Sequence, residues 1–311
     1  MMMGPEEDLP TLLKRSDHLG VLRYVRAHKI RDPELVVEHG TLLLGTDLSK
    51  CKGSFLYSKL EENERLGALE QICIAALDIH ESELAAKALD EIMACVGNGS
   101  RRFRRLLGLC LESSNDLSGA AEIYNDLLRE NPSNMFCLKR KYCILRTLHK
   151  DEEAREALND YLEKNGSDVG AWAEMAKFCA EVGDCTGAAF CYEEIVLACP
   201  LDSDVHCTLA EWYVTIGGKE NLKLARKHMA QSLELNPNNL RAMYGLLNAA
   251  NAYIQEVETK KSKKDDSNDV DVAKELIKYA SEKLSKVYKG TGKTSVTVQN
   301  VLKQMTLQTE A

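Results

Sequence analysis

Between Arg101 and Pro237 apolar residues recur at a helical period, and the helices they predict come in pairs. Trp172, Met175, Ala176 and Cys179 fall on one helical face, Ala188, Tyr192 and Ile195 on a second, and Pro200 closes the unit. Two unit lengths upstream, Leu107, Gly108 and Leu111 precede Ala120, Tyr124, Leu127 and Pro132 in the same relative places. Steps of three and four residues put apolar side chains on one side of a helix, so each unit predicts a helix, a short turn and a second helix. Leu138, Ala154, Leu158 and Tyr161 form a third unit, with Gly166 in the proline slot. Leu209, Ala210, Tyr213, Ala225, Met229, Ser232 and Pro237 form another once Ile216, Gly217, Gly218 and Lys219 are taken as a turn insertion. Cys73, Ala76, Leu77, Ala85, Leu89, Ile92 and Gly97 make a weaker unit. Met243, Leu246 and Leu247 open a sixth whose second helix is displaced.

These slots are those of the tetratricopeptide repeat, a helix-turn-helix of about 34 residues. Small residues (Gly108, Ala120, Ala176, Ala188) stand where two helices cross, and bulk there overpacks the crossing at roughly 1 to 3 kcal/mol. Trp172, Tyr124 and Tyr192 fill the space between hairpins, while Pro132, Pro200 and Pro237 stop second helices. No hairpin buries its apolar face alone, so the predicted fold is an all-α solenoid, a right-handed superhelix of stacked hairpins with a concave groove. Residues 1–66, with helices at Leu19 to Ala27 and Glu34 to Leu44, read as an irregular amino-terminal cap. Residues 67–257 hold the repeats and the first helix of the last hairpin. Residues 258–271, where Lys260, Lys261, Lys263 and Lys264 meet Asp265, Asp266 and Asp269 without apolar period, read as a charged flexible loop. Residues 272–311 read as closing helices and a carboxy-terminal cap.

Composition fits this class and removes others. The chain has 311 residues, 44% hydrophobic and only 6% aromatic, against an extensive β architecture. Its net charge of -8 argues against general nucleic-acid affinity. No apolar run reaches the roughly 18 residues that span a bilayer. The start, Met1 to Pro10, is acidic and does not resemble a secretory signal, Gly4 is misplaced for myristoylation, and Gln308 to Ala311 carries no retention or prenylation signal.

Candidate chemistry is thin. The eleven cysteines are odd in number and scattered through helices, which suits a reducing compartment. Cys179, Cys185 and Cys191 recur every six residues without any Cys-x-x-Cys pair, and only His206 and Cys207 adjoin, so core packing is the reading and no metal is expected. Asn98 and Asn165 begin Asn-Gly-Ser sequons that matter only in a secretory lumen. Gly292, Lys293 and Thr294 resemble the end of a phosphate-binding loop, but Val287 stands where its first glycine belongs. Glu193 and Glu194 read as solvated helix charge. No catalytic site, cofactor or nucleotide site is expected.

The first helix of each tetratricopeptide hairpin lines the concave wall. There Arg102 and Arg105, then Lys139, Arg140 and Arg146, predict a basic wall. Lys177 with Glu174 and Glu211, then Arg241, Tyr244, Asn248 and Asn251, predict a mixed one. Such side chains can hold an extended peptide by its backbone and acidic groups. A clamp for the acidic tails of chaperones needs two asparagines where Cys143 and Glu174 stand, and Glu174 would repel a carboxylate.

The stretch Gly170-Ala-Trp-Ala-Glu-Met-Ala through Gly187-Ala-Ala-Phe-Cys-Tyr-Glu-Glu, with Ile216-Gly-Gly-Lys-Glu-Asn-Leu and Asn239-Leu-Arg-Ala-Met-Tyr-Gly-Leu, resembles the subunit 2 family of the endoplasmic reticulum membrane protein complex. Ile74-Ala-Ala-Leu-Asp and Leu138-Lys-Arg-Lys fit as well, and the resemblance runs from about residue 70 to 288, weaker before it. It implies a non-catalytic scaffold, peripheral on the cytosolic face of the endoplasmic reticulum. Its partners would be the membrane-spanning and soluble subunits of a complex that inserts tail-anchored and multipass proteins without nucleotide hydrolysis. The alternative is a free cytosolic adaptor or co-chaperone that binds peptide tails.

Overall fold

The computed structural model describes residues 8–44, 61–259, 267–289 and 293–307. The acidic start with Gly4, half of the charged segment (260–266), Gly292 and the tail 308–311 lie outside them. The chain divides into two compact units, Met1–His149 and Lys150–Ala311. The first holds α1 (Leu9–Lys14), α2 (His18–Ala27), α3 (Pro33–Leu44), α4 (Glu62–Asp78), α5 (Ser82–Val96), α6 (Arg101–Ser113), α7 (Leu117–Glu130) and α8 (Met135–Thr147). The second holds α9 (Asp151–Lys164), α10 (Val169–Glu181), α11 (Cys185–Ala198), α12 (Ser203–Ile216), α13 (Lys219–Leu235), α14 (Leu240–Thr259), α15 (Ser267–Val287) and α16 (Lys293–Leu307). Among the described residues there is no strand, and the fold is the all-α hairpin array that the pattern predicts.

Local chemistry repeats with the units. His80, Asn115, His149 and Gly183, each between two successive helices, adopt positive φ. A left-handed residue lets the chain reverse while the last carbonyls of the helix find donors. Thus Glu81 N–H reaches Ala76 O at 2.8 Å, Asp116 N–H reaches Leu111 O at 2.8 Å and Asp184 N–H reaches Cys179 O at 2.7 Å. The aspartates then cap the next helix, accepting from Gly119 N–H at 3.0 Å and Gly187 N–H at 2.8 Å. Asp17 and Gly20 repeat that device at 2.9 Å, after Ser16 in the left-handed region. The amino-terminal cap is therefore less irregular than its sequence suggests: α1 and α2 meet through the hairpin turn, with α1 a shortened first helix.

Second helices end as expected, and the geometry gives the cause. Asn131, Cys199 and Asn236, each before a proline, leave the helical region with φ of -142°, -128° and -136°, because the proline ring excludes that region for its predecessor. Asn165, before Gly166, takes the same form at φ -139°. The insertion after α12 is a two-glycine turn, with Gly217 at φ 73°, ψ -172° and Gly218 at φ 82°, ψ 150°. Side chains are strongly disfavoured in that region. Asn221 Nδ2 donates to Gly217 O at 2.9 Å and holds the turn against the start of α13.

In the first unit, Leu12, Val21, Leu22, Val25, Val36, Leu43, Ala68 and Ala75 pack the cap onto α4. Leu69, Ile72, Cys73, Ala88, Ile92, Phe103 and Leu106 form the next layer, followed by Ala120, Tyr124, Leu127, Cys137 and Ile144. In the second unit one core runs from Ala189 through Tyr213, Met229 and Leu246 to Leu284 and Leu302. A side chain of this kind contributes about 1.5 to 3 kcal/mol when fully buried, and in every layer more than one hairpin supplies the partners.

The last hairpin departs from the expected bounds. α14 and α15 run 20 and 21 residues, so of the charged segment expected at 258–271, residues 258–259 and 267–271 are helical. Asp269 is anchored there: its carboxylate meets Lys223 Nζ at 2.6 Å, and its carbonyl accepts from Arg226 Nη1 at 3.1 Å. The guanidinium of Arg226 lies 4.1 Å over the ring of Tyr253. α16 begins five residues before the expected Val298.

Candidate partner-binding walls

In the first unit α6 stands beside α4, and α8 reaches α6 through Arg140. The guanidinium of Arg102 pairs with the Glu70 carboxylate, with Nη2 to Oε2 at 3.0 Å. Arg140 grips Glu112 with both arms, Nε to Oε1 at 2.8 Å and Nη2 to Oε2. The Tyr124 hydroxyl donates to the same Glu112 Oε1 at 2.6 Å. Burial and this carboxylate push the Tyr124 phenol far above its usual range, while Glu112 holds Arg140 firmly charged. Arg105 lies 5.3 Å over the Phe136 ring. Lys139 is exposed and Arg146 half-buried.

The second unit repeats the motif. Arg241 on α14 grips Glu211 on α12 with both arms, Nε to Oε1 at 2.6 Å and Nη2 to Oε2. Lys177 pairs with Glu174 along its own helix at 2.7 Å. Tyr244 is exposed at its edge, and burial of the phenol, with a hydrogen bond to Tyr288, pushes it up to about 12. Asn248 is exposed. Asn251 is not on the open surface: it is 7% exposed, and neither Oδ1 nor Nδ2 has a hydrogen-bond partner among the described residues.

The expected basic wall is therefore corrected. Two of its arginines, Arg102 and Arg140, are each held by a carboxylate on the preceding first helix, as is Arg241 of the expected mixed wall, so each unit carries a ladder of internal ion pairs. Sequence reasoning missed Glu70 and Glu112, and took Glu211 only as one charge among several. The available signal is an acid on one first helix followed about one repeat length later by an arginine on the next. Glu193 also changes character, because it accepts from the Tyr213 hydroxyl at 2.6 Å.

Histidines form two pairs that the sequence did not indicate. His206 Nδ1 lies 3.0 Å from His228 Nδ1, and His206 Nε2 lies 3.0 Å from Pro200 O. In the first unit His18 Nδ1 lies 2.8 Å from His39 Nδ1. Among the described residues no three His, Cys, Asp or Glu side chains converge as a metal site, and no helix is long and apolar enough to cross a membrane.

Helical hairpins joined by left-handed turns, with small residues at the crossings and polar side chains along their first helices, define a tetratricopeptide-repeat protein. Residues 90–228 match the family described as the EMC2 TPR-like repeat domain. ER membrane protein complex subunit 2-A of Xenopus laevis is 34% identical over 281 residues, covering 89% of this chain and 88% of that protein. ER membrane protein complex subunit 2 of Dictyostelium discoideum is 29% identical over 237 residues, covering 73% and 71%. The chain belongs to the family of subunit 2 of the ER membrane protein complex. The likeness to the Xenopus protein also extends well beyond residues 70–288. Among solved structures, MamA 41-end from Desulfovibrio magneticus RS-1 overlaps 56% of this chain and 96% of its own, at 17% identity and a TM-score of 0.41. That overlap carries nothing further.

Proposed function

We propose that this chain is a non-catalytic scaffold subunit of an ER membrane protein complex. It sits on the cytosolic face of the endoplasmic reticulum and supports energy-independent insertion of tail-anchored and multipass proteins. Kinship with subunit 2 proteins over 89% of the chain carries this reading. Its role is shape and assembly, through membrane-spanning and soluble partner subunits.

The candidate grip on a partner lies on the first helices of each unit. In the second unit, Arg241, Tyr244, Asn248 and Asn251 recur along one side of α14. The exposed carboxamide of Asn248 offers a donor and an acceptor side by side, the complement of a peptide group in an extended segment. In the first unit, Lys139, Arg105 and Arg146 are the corresponding candidates, while Arg102 and Arg140 act by bracing the wall.

Affinity purification of the tagged chain in mild detergent tests the reading. Recovery of several membrane proteins in fixed ratio is the expected result. Recovery of chaperones, or of the chain alone, would return it to the free-adaptor class. Tyr244→Ala with Asn248→Ala should reduce recovery at unchanged thermal stability, and unchanged recovery would remove α14 as the grip.

A further inference from the structure

The carboxy-terminal end of the chain departs from its overall charge. Residues 272–311 carry seven lysines and three glutamates in a protein whose net charge is -8. The helices α15 and α16 enclose a cleft of about 540 Å³ lined by Ser281, Ser285, Lys286, Lys289, Gln299 and Lys303, with Glu282 as its one acid. Ser281 Oγ is buried and has no hydrogen-bond partner among the described residues. No carboxylate among them pairs with Lys286 or Lys289.

A hydroxyl left without a partner, with three ammonium groups, two further polar side chains and one carboxylate around it, is a donor-rich pocket. Its complement is a compact anion with several acceptor oxygens. A phosphate group answers that description, because it can accept from an ammonium, a hydroxyl and an amide at once. A single carboxylate of an acidic peptide has two oxygens and would leave ammonium groups unmatched. The same two helices expose Val287, Val296 and Val301, apolar side chains of the kind that enter the headgroup boundary when a basic helix lies on a bilayer.

We propose that the α15–α16 cleft binds the phosphate headgroup of an anionic phospholipid, so that this end of the protein touches the membrane surface itself. The choice of a lipid over a soluble phosphate rests on the membrane location proposed above. The chemistry of the cleft does not. Lysines close to an anionic surface each strengthen binding by roughly a factor of five, so three together are worth about a hundredfold.

The test is flotation of the purified full-length chain with phosphatidylcholine vesicles, with and without phosphatidylinositol. Binding should require phosphatidylinositol. It should fall about a hundredfold in K286Q/K289Q/K303Q, with thermal unfolding unchanged, and several-fold in S281A. The charge-matched control K274Q/K278Q/K283Q, on α15 outside the cleft, should lose far less. Equal loss in the two triple variants would reduce the effect to diffuse charge and overturn the site. Absence of vesicle binding, with tight binding of inositol hexakisphosphate, would overturn the lipid source. If vesicle binding is absent and the cleft triple variant instead loses a co-purifying protein, the cleft belongs to an acidic peptide. Failure to recover membrane subunits with the wild-type chain would sink the scaffold reading, and flotation reads the cleft independently of it.

Discussion

Gly108 faces the ring of Tyr124 across the α6–α7 crossing so closely that a Cβ at position 108 would stand 2.6 Å from Cε1 and Cζ. The ring has little freedom to give way, because its hydroxyl is tied to Glu112 at 2.6 Å. Gly108→Ala should therefore cost about 1 to 3 kcal/mol through overpacking, although alanine is the better helix former. Gly99→Ala, whose Cβ would meet nothing within 4 Å, should change stability by less than about 0.5 kcal/mol. Denaturant unfolding of the two variants checks the contrast, and equal stabilities would show that Tyr124 moves aside.

The Glu112 carboxylate is the hub for Arg140 and Tyr124, and its side chain is only 11% exposed. Glu112→Gln keeps an acceptor for the phenol but leaves the Arg140 guanidinium without its counter-charge. It should cost about 2 kcal/mol, in the range for hydrogen bonds to charged groups. Glu122→Gln, on the exposed side of α7, should be neutral. Arg140→Met in the Glu112→Gln background should recover part of the loss, and a double-mutant cycle with no coupling would remove the hub.

The turn at Gly217 and Gly218 tests backbone strain by itself. Both residues hold φ above +70° in regions that a side chain disfavours. Gly217→Ala and Gly218→Ala should each cost about 1 to 3 kcal/mol and raise hydrogen exchange at the start of α13. Unchanged exchange there would mean that the turn is free to choose another conformation.

The histidine pairs give a pH dependence with a defined sign. Pro200 O can only accept, so His206 carries its proton on Nε2, and a neutral His206 then accepts at Nδ1 from His228. Burial, and then the proximity of His206, lower the pKa of His228, and burial does the same for His39 beside His18. Below the ordinary histidine value of about 6.5 the unfolded chain binds more protons than the folded one. The contribution is therefore intact above that pH and is lost as pH falls through the depressed folded values. Thermal unfolding between pH 7.5 and pH 5, both on the order of the range that brackets a histidine, should show falling stability. His228→Gln should flatten the slope, and a slope unchanged in that variant and in His39→Gln would assign it to other groups.

The hairpins, their small crossing residues and their proline stops were legible because each is a local rule repeated at a fixed period. Gly217 and Gly218 were legible as an insertion for the same reason. The α1–α2 turn was hidden because α1 has only six residues, too few to show a period, although the Asp17–Gly20 spacing matches Asp116–Gly119. Trp172 was expected to fill the space between hairpins. It is half-buried instead, with its indole N–H on Gly166 O at 2.8 Å and its ring edge-on to Phe190. The wall was half legible. Residue type located Arg102, Arg140 and Arg241, but what neutralises them lies on another helix, and pairings between distant positions leave no periodic mark in one sequence.

The ladder of Glu70 with Arg102, Glu112 with Arg140 and Glu211 with Arg241 makes each unit its own first ligand. An acidic segment arriving there meets guanidinium groups that already have a carboxylate, and can only trade places with it. Such an exchange conserves the number of ion pairs, so net attraction for acidic charge is small, and selectivity falls to shape and to the neutral donors and acceptors beside the ladder. The same arrangement keeps these three guanidinium groups neutralised before assembly, so they do not gather acidic partners by charge alone.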